Sequence, residues 1–254
     1  MKFHRSQLKH LLVLDIETVP MVARFEELSE ARQKLWAHKA KFMLEKEPEK
    51  TAGQLFEERG GIFAEFGKIV TISVGVFFQD QENDLSLRVK AIADHDETAI
   101  LRAFQELVST KFDPKRVQFI AHNGKEFDYP YIARRMLVQG VPLPEALEVR
   151  GKKPWEINHL DTMELWKFGD WKNFTQLALL ADLFGLPTSK SDIDGSQVRS
   201  VYYEENDLPR IAHYCNQDVA LTAQVYLKLM AQEPIVPQKI QIVPFETTTE
   251  AKDT

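Results

Sequence analysis

The chain has 254 residues, of which 44% are hydrophobic and 28% charged, as in a globular protein with one sizeable core. No window approaches the roughly 18 consecutive apolar residues of a membrane helix, and MKFHRSQLKH lacks the pattern of a signal peptide. The formal net charge of −6 counts mildly against a tight polyanion binder and hardly at all against a protein that carries its positive charge in bound cations.

Three predicted strands open the chain. Residues 11–14 form a continuous apolar run, which suits a strand covered on both faces. Residues 68–78 are rich in β-branched and aromatic side chains, and residues 85–91 alternate between apolar and polar. A polar turn at residues 81–84 connects these two strands.

The second half of the chain alternates helices with short strands. A helix is expected behind an Asp96 cap, and another between Pro130 and Gly140. The remaining elements are short strands at 117–121 and 159–161 and helices at about 177–185 and 207–230. Three strands come first, and helices alternating with short strands follow. This order predicts an α/β protein whose mixed sheet is flanked by helices.

Residues 21–65 interrupt this order with a segment of helical propensity. It contains eight Lys/Arg and nine Asp/Glu, a net charge of −1, so a basic nucleic-acid arm is disfavoured. We expect a helical insertion that packs on the body, shields an edge or mediates self-association. Residues 1–233 are predicted to form one domain, and residues 234–254 a polar C-terminal tail with disordered last residues.

Two carboxylates, Asp15 and Glu17, end the first predicted strand. Strand side chains alternate, so both point the same way, about 7 Å apart. Beside a buried strand they repel each other, and a cation between them would relieve that repulsion. Mg²⁺ or Mn²⁺ suits such an all-oxygen site. The alternative is a strand end in solvent, where an acid pair costs little.

A third acid, Asp128, follows the strand at 117–121 and precedes a predicted helix. A role as a helix cap would explain the aspartate. That role leaves Asn123 and Phe127 in the same segment, NGKEFDYPYI, without an explanation.

The last predicted helix carries Tyr214 and Asp218. Residues four apart differ by about 40° around a helix, so these two share a face. A solvated face is the alternative explanation. Cys215 beside them is the only cysteine, which excludes an internal disulfide and indicates a reducing, cytoplasmic location.

Together, DIETVP, NGKEFDYPYI and YCNQD resemble the Exo I, Exo II and Exo III motifs of DEDD exonucleases. The likeness is strongest to the proofreading domain of family B DNA polymerases and the stand-alone exonucleases related to it. It covers about residues 10–230, with the insertion as the poorest match. By resemblance, the expected fold is ribonuclease H-like.

The resemblance implies a 3′–5′ exonuclease that hydrolyses phosphodiester bonds and releases nucleoside 5′-monophosphates. Tyr214 would orient the attacking water, because a phenol is a poor base at neutral pH. Two divalent cations, Mg²⁺ or Mn²⁺, would be bound by Asp15, Glu17, Asp128 and Asp218. Three residues would contact a single-stranded 3′ end: Thr18, Asn123 and Phe127.

Several alternatives stay open at this point. His213 lies five residues before Asp218, the spacing of the histidine subgroup, whereas Tyr214 matches the tyrosine subgroup. An RNA 3′-trimming enzyme and a non-catalytic binding module with the same fold remain rivals, and the oligomeric state is open. Cations beside aromatic residues, which suit single strands, occur at Lys152, Lys153 and Trp155 and at Trp171 and Lys172.

Overall fold

A six-stranded mixed sheet forms the centre of the structure, with strand order β5-β4-β1-β2-β3-β6. The computed structural model describes residues 5–170, 174–187 and 193–245. β2 pairs antiparallel with β1 and β3, whereas the other neighbouring pairs are parallel. The strands are Leu11–Pro20 (β1), Gly67–Gln79 (β2), Leu85–Ala93 (β3), Gln118–Ala121 (β4), Leu160–Asp161 (β5) and Ile240–Ile242 (β6).

Helices cover both faces of this sheet, as the order of predicted elements indicates. α3 and α4 contribute to the apolar cluster on one face, and α7 and α8 contribute to the clusters on the other. The helices are Glu30–Lys46 (α1), Ala52–Arg59 (α2), Glu97–Lys111 (α3), Asp128–Val138 (α4), Thr162–Lys167 (α5), Leu177–Leu183 (α6), Val198–Tyr203 (α7) and Leu208–Leu229 (α8). Within the described ranges, no helix has the length and apolar content needed to span a membrane.

Strand β1 is buried on both faces and divides its side chains between them. Leu12 and Leu14 join the cluster formed with α3 and α4, and Leu11 and Val13 join the cluster formed with α8. The period of two therefore directs the odd-numbered residues of β1 toward α8.

The first strand is longer than its apolar run predicts. We expected Glu17 to lie at the strand end, but pairing with β2 continues to Pro20, with a register shift between Glu17 and Thr18. Asp15 and Glu17 therefore lie within the strand, each paired with a residue of β2. Solvation at a strand end does not account for this acid pair.

The expected helical insertion is present after β1 and has its own apolar cluster around Trp36 and Phe56. The insertion packs on the body through the turn at Gly60–Ile62, where the Gly61 carbonyl accepts two hydrogen bonds from side chains. Thr18 Oγ1 donates at 2.8 Å and the Tyr131 hydroxyl at 2.7 Å. The insertion thus lies against the central strand β1.

Two elements of the second half differ from the expected organisation. α7 lies between α6 and α8, and β6 pairs parallel with β3 within the segment expected to be a tail. The Gln224 side chain fastens this segment, because it donates to the Ile235 carbonyl at 2.6 Å and accepts from the Ile235 amide at 2.8 Å. A three-residue strand is too short to show a period in the sequence.

Candidate active site

Asp15 and Glu17 project from β1 toward α8. Their partners on β2 are Ser73 and Thr71, so short hydroxyl side chains lie beside the two acids. The Cys215 thiol of α8 donates to Asp15 Oδ2 at 3.3 Å. A ligand oxygen of each acid and the Cys215 sulfur all lie within 4.8 Å of one another. The pleat of the strand and the packing of α8 thus bring both acids together.

Asp128 reaches the same place from the other side of β1. β4 pairs with β1 only as far as Val13, so the Ile16 amide is available to another acceptor on that side. Asp128 is the first residue of α4, and its Oδ1 accepts a hydrogen bond from this amide at 3.2 Å. Its side chain is buried, and Ile16 lies between Asp15 and Glu17. This bond therefore holds the third carboxylate beside the first two.

Asp218 completes the group from α8. Tyr214 lies four residues before it on the same helix, and burial together with the nearby Asp218 carboxylate raises the pKa of the Tyr214 hydroxyl. His213 lies on an exposed part of the same helix, with Nε2 2.7 Å from Nε2 of Gln217. Helical geometry explains why Tyr214 and not His213 lies beside Asp218, because residues 213 and 218 are about 140° apart around the helix axis.

Burial raises the pKa of every carboxyl group in this cluster. Burial is the largest cause for Asp15 and Glu17, whose pKa values lie well above the ordinary range, and the other acids raise them further. Burial also raises the pKa of Asp128 to about 7 and that of Asp218 above its usual value. Among the residues that the structure describes, no lysine or arginine pairs with these four acids.

A second acidic cluster contains a protein cation, and the pKa of one of its carboxyl groups is lowered instead of raised. Asp80, Glu82 and Asp84 on the β2–β3 turn surround the Lys239 ammonium at 2.9, 2.8 and 2.5 Å. The hydrogen bond from Lys239 lowers the pKa of Asp80 to about 2. This cluster contains its own cation, whereas the four acids near α8 have none in the described chain. Their all-oxygen donor set fits a hard divalent cation.

The loop before Asp128 is organised by Asp161, the last residue of β5. Asp161 caps α5, but its Oδ1 also accepts the Asn123 amide at 3.0 Å and its Oδ2 the Lys125 amide at 3.1 Å. These bonds hold Asn123 at a φ of 65°, a conformation that asparagine tolerates better than most residues. The Asn123 Oδ1 is buried and has no partner among the described residues.

The three predicted nucleotide contacts have different environments. The Phe127 ring is partly buried, 5.3 Å from that of Tyr131, and lies directly before Asp128. Thr18 already uses its hydroxyl to bind the Gly61 carbonyl. Of the cation–aromatic pairs, Lys153 lies 5.2 Å from the Trp155 ring, while Trp171 and Lys172 fall outside the described residues.

Residues 62–241 match the model of a protein family described as a predicted 3′–5′ exonuclease related to the exonuclease domain of PolB. The match covers well over half of the 254 residues. The chain belongs to this family. Asp128, Tyr214 and Asp218 lie inside the matched range, whereas Asp15 and Glu17 precede it.

A family B DNA polymerase from the hyperthermophilic archaeon Pyrobaculum calidifontis is similar in structure, with a TM-score of 0.50 at 15% sequence identity. The likeness covers 87% of this chain and 24% of the polymerase. At this identity, the comparison concerns the fold. It agrees with the ribonuclease H-like architecture expected for an exonuclease domain of this kind.

The raised pKa values predict an unusual pH dependence of stability. A carboxyl group that binds its proton more tightly when folded stabilises the protein at low pH, and this contribution disappears as pH rises toward the folded pKa. Without divalent cations, stability is therefore expected to fall between about pH 4 and pH 7, the window set by the ordinary and raised pKa values of Asp128. Thermal denaturation in EDTA measures this trend.

Asp128→Asn is the informative variant for this experiment, because an amide oxygen can still accept the Ile16 amide but does not titrate. Its stability should depend less steeply on pH than that of the wild type. Glu106→Gln, at an exposed position on α3, is the control and should leave the slope unchanged. Equal slopes for Asp128→Asn and wild type would contradict the raised pKa.

Proposed function

We propose that this chain is a 3′–5′ exonuclease of the tyrosine DEDD subgroup, acting on single-stranded DNA ends and releasing nucleoside 5′-monophosphates. The observation that carries the proposal is the cluster of four carboxylates with raised pKa values, beside which the described part of the chain places no cation. Family membership supports the reaction class. The proposal includes a cytoplasmic location, for which the lone free cysteine is the support.

We propose that two divalent cations, Mg²⁺ or Mn²⁺, bind at this cluster. The residues that would hold them are Asp15 and Glu17 on β1, Asp128 at the start of α4 and Asp218 on α8. Bound divalent cations supply a nucleophilic water at neutral pH and neutralise the charge that develops on the phosphate. The three elements hold the carboxylates in place before substrate arrives, because each side chain projects from a helix or a buried strand.

Tyr214 is assigned a positioning role. Burial and the Asp218 carboxylate raise the pKa of its hydroxyl above the ordinary value of about 10, so the phenol keeps its proton at neutral pH. The hydroxyl lies near the Asp218 carboxylate, and its oxygen lone pairs can orient a water molecule. His213 is exposed and contacts Gln217, so its position favours the tyrosine over the histidine subgroup.

The residues before Asp128 would bind the terminal nucleotides. The buried Oδ1 of Asn123 has no partner among the described residues, and a nucleotide donor would satisfy this acceptor. The Phe127 ring offers a partly exposed face for stacking on a base. Thr18 would approach the 3′ end from β1, although its hydroxyl is bonded to Gly61.

Asp15→Ala is expected to reduce nucleotide release from a labelled single strand in Mg²⁺ or Mn²⁺ by about a thousandfold, because metal ligation supplies several kcal/mol of transition-state stabilisation. Glu82→Ala is the matched control, since this acid belongs to the cluster that Lys239 neutralises. It should leave the rate unchanged. EDTA should abolish release by the wild type.

This assay uses DNA and RNA strands of the same sequence, each with a free 3′ end. Faster release from DNA supports the proposed substrate, and faster release from RNA identifies a 3′-trimming ribonuclease. Binding without release by the wild type would identify a non-catalytic module. Full activity of a correctly folded Asp15→Ala protein would disprove the site.

Tyr214→Phe is expected to lower kcat about 10- to 100-fold with little change in KM, because it removes the hydroxyl near the reacting water while the ring remains. His213→Ala, at the neighbouring exposed position, is the paired control and should retain full activity. The reverse result, with Tyr214→Phe active and His213→Ala inactive, would place the chain in the histidine subgroup.

A further inference from the structure

Exposed aromatic side chains lie on the segment that follows α5. Phe168 is 88% exposed and Phe174 is 68% exposed, so neither ring is used by the core. The Lys167 Nζ lies 4.6 Å from the centre of the Phe174 ring. Within the described ranges Lys167 forms no ion pair, which leaves its charge available to a ligand. An exposed ring with a cation beside it suits the bases and phosphates of single strands.

Hydrogen bonds fasten this segment to the loop before Asp128. The Thr175 carbonyl accepts a hydrogen bond from His122 Nε2 at 2.8 Å. The other ring nitrogen, His122 Nδ1, lies 2.9 Å from Thr162 Oγ1. Because a carbonyl can only accept, Nε2 carries the proton. His122 directly precedes Asn123. The hydrogen bond from His122 to Thr175 therefore connects the residue next to Phe174 with the residue next to Asn123 of the candidate active site.

A second attachment connects the same segment to α8. Leu177, at the start of α6, belongs to an apolar cluster with Leu221 of α8. Leu221 lies three residues beyond Asp218, less than one helical turn along the axis. Residues 174–177 therefore pass between the loop that carries Asn123 and the helix that carries Asp218. Phe174 therefore lies one residue from a direct hydrogen bond to the loop that leads to Asp128.

We propose that Phe174, with Lys167 beside it, is a stacking subsite for an unpaired base of the strand whose 3′ end occupies the carboxylate site. The inference rests on the proposed function, because it takes single-stranded nucleic acid as the ligand. Every base has a π face, so this subsite accepts any sequence. The Lys167 ammonium would attract the backbone phosphate next to the stacked base, whereas the acidic cluster itself repels phosphates.

Binding is measured by fluorescence anisotropy with a labelled single-stranded 12-mer in an Asp15→Asn background, so that the strand is preserved. Phe174→Ala and Phe174→Leu are expected to weaken binding about tenfold, because both remove the stacking face. Phe174→Trp should retain affinity. Leucine preserves apolar volume, so a loss with Leu and a recovery with Trp separates stacking from packing. Lys167→Gln should make the salt dependence of binding shallower.

Phe42→Ala is the matched control. This phenylalanine of α1 is 72% exposed, close to the exposure of Phe174, but lies in the insertion. It should bind as tightly as the parent. Unchanged melting temperatures for the Phe174 variants show that the fold is intact.

Equal affinity of Phe174→Ala and its parent, or equal losses from Phe42→Ala and Phe174→Ala, would overturn the subsite. So would a parent protein that binds no single strand. Nucleotide release by the wild type is measured in parallel. If binding depends on Phe174 but no release occurs, the subsite stands and the exonuclease proposal fails. If release occurs but binding does not depend on Phe174, the exonuclease proposal stands and the subsite fails.

Discussion

Electrostatic repulsion among four buried carboxylates is the constraint on which the rest of the site depends. Burial opposes the charged form of each acid, and the neighbouring acids further oppose the ionisation of Asp15 and Glu17. In the described chain, no basic side chain relieves this repulsion. A divalent cation would relieve it, and the same charge that stabilises the cluster would serve catalysis at a phosphodiester.

The fold holds the acids together despite this cost. β1 is buried on both faces and both acids are paired with β2, so Asp15 and Glu17 cannot separate without loss of strand pairing. The Ile16 amide holds Asp128, and α8 fixes Asp218 through packing against the sheet. Three elements, distant in sequence, therefore converge on one point, which is the preorganisation that catalytic sites require.

Local patterns in the sequence account for part of this arrangement. The period of two puts Asp15 and Glu17 on one face, and the helical period pairs Tyr214 with Asp218. The mixed sheet and its flanking helices also follow from the order of apolar segments. The continuation of β1 to Pro20 does not follow from the sequence, because the length of β1 is set by pairing with β2 and not by the apolar run.

Features that depend on distant partners were not predictable from local patterns. The position of Asp161 indicates a helix cap, and its bonds to the loop at Asn123 arise only when β4 and β5 become neighbours. β6 is defined by pairing with β3 across more than 150 residues of sequence. Lys239 neutralises Asp84 across a separation of 155 residues, which no spacing rule indicates.

The two acidic clusters allow the most direct test of a metal site at the four carboxylates. Both contain closely spaced carboxylates, yet among the residues that the structure describes only the cluster with Lys239 holds a protein cation. Crystals soaked in Mn²⁺ and measured near the manganese absorption edge locate bound metal through anomalous scattering. We predict anomalous density beside Asp15, Glu17 and Asp218. No density there, or density only at Asp80, Glu82 and Asp84, would contradict the proposed metal site.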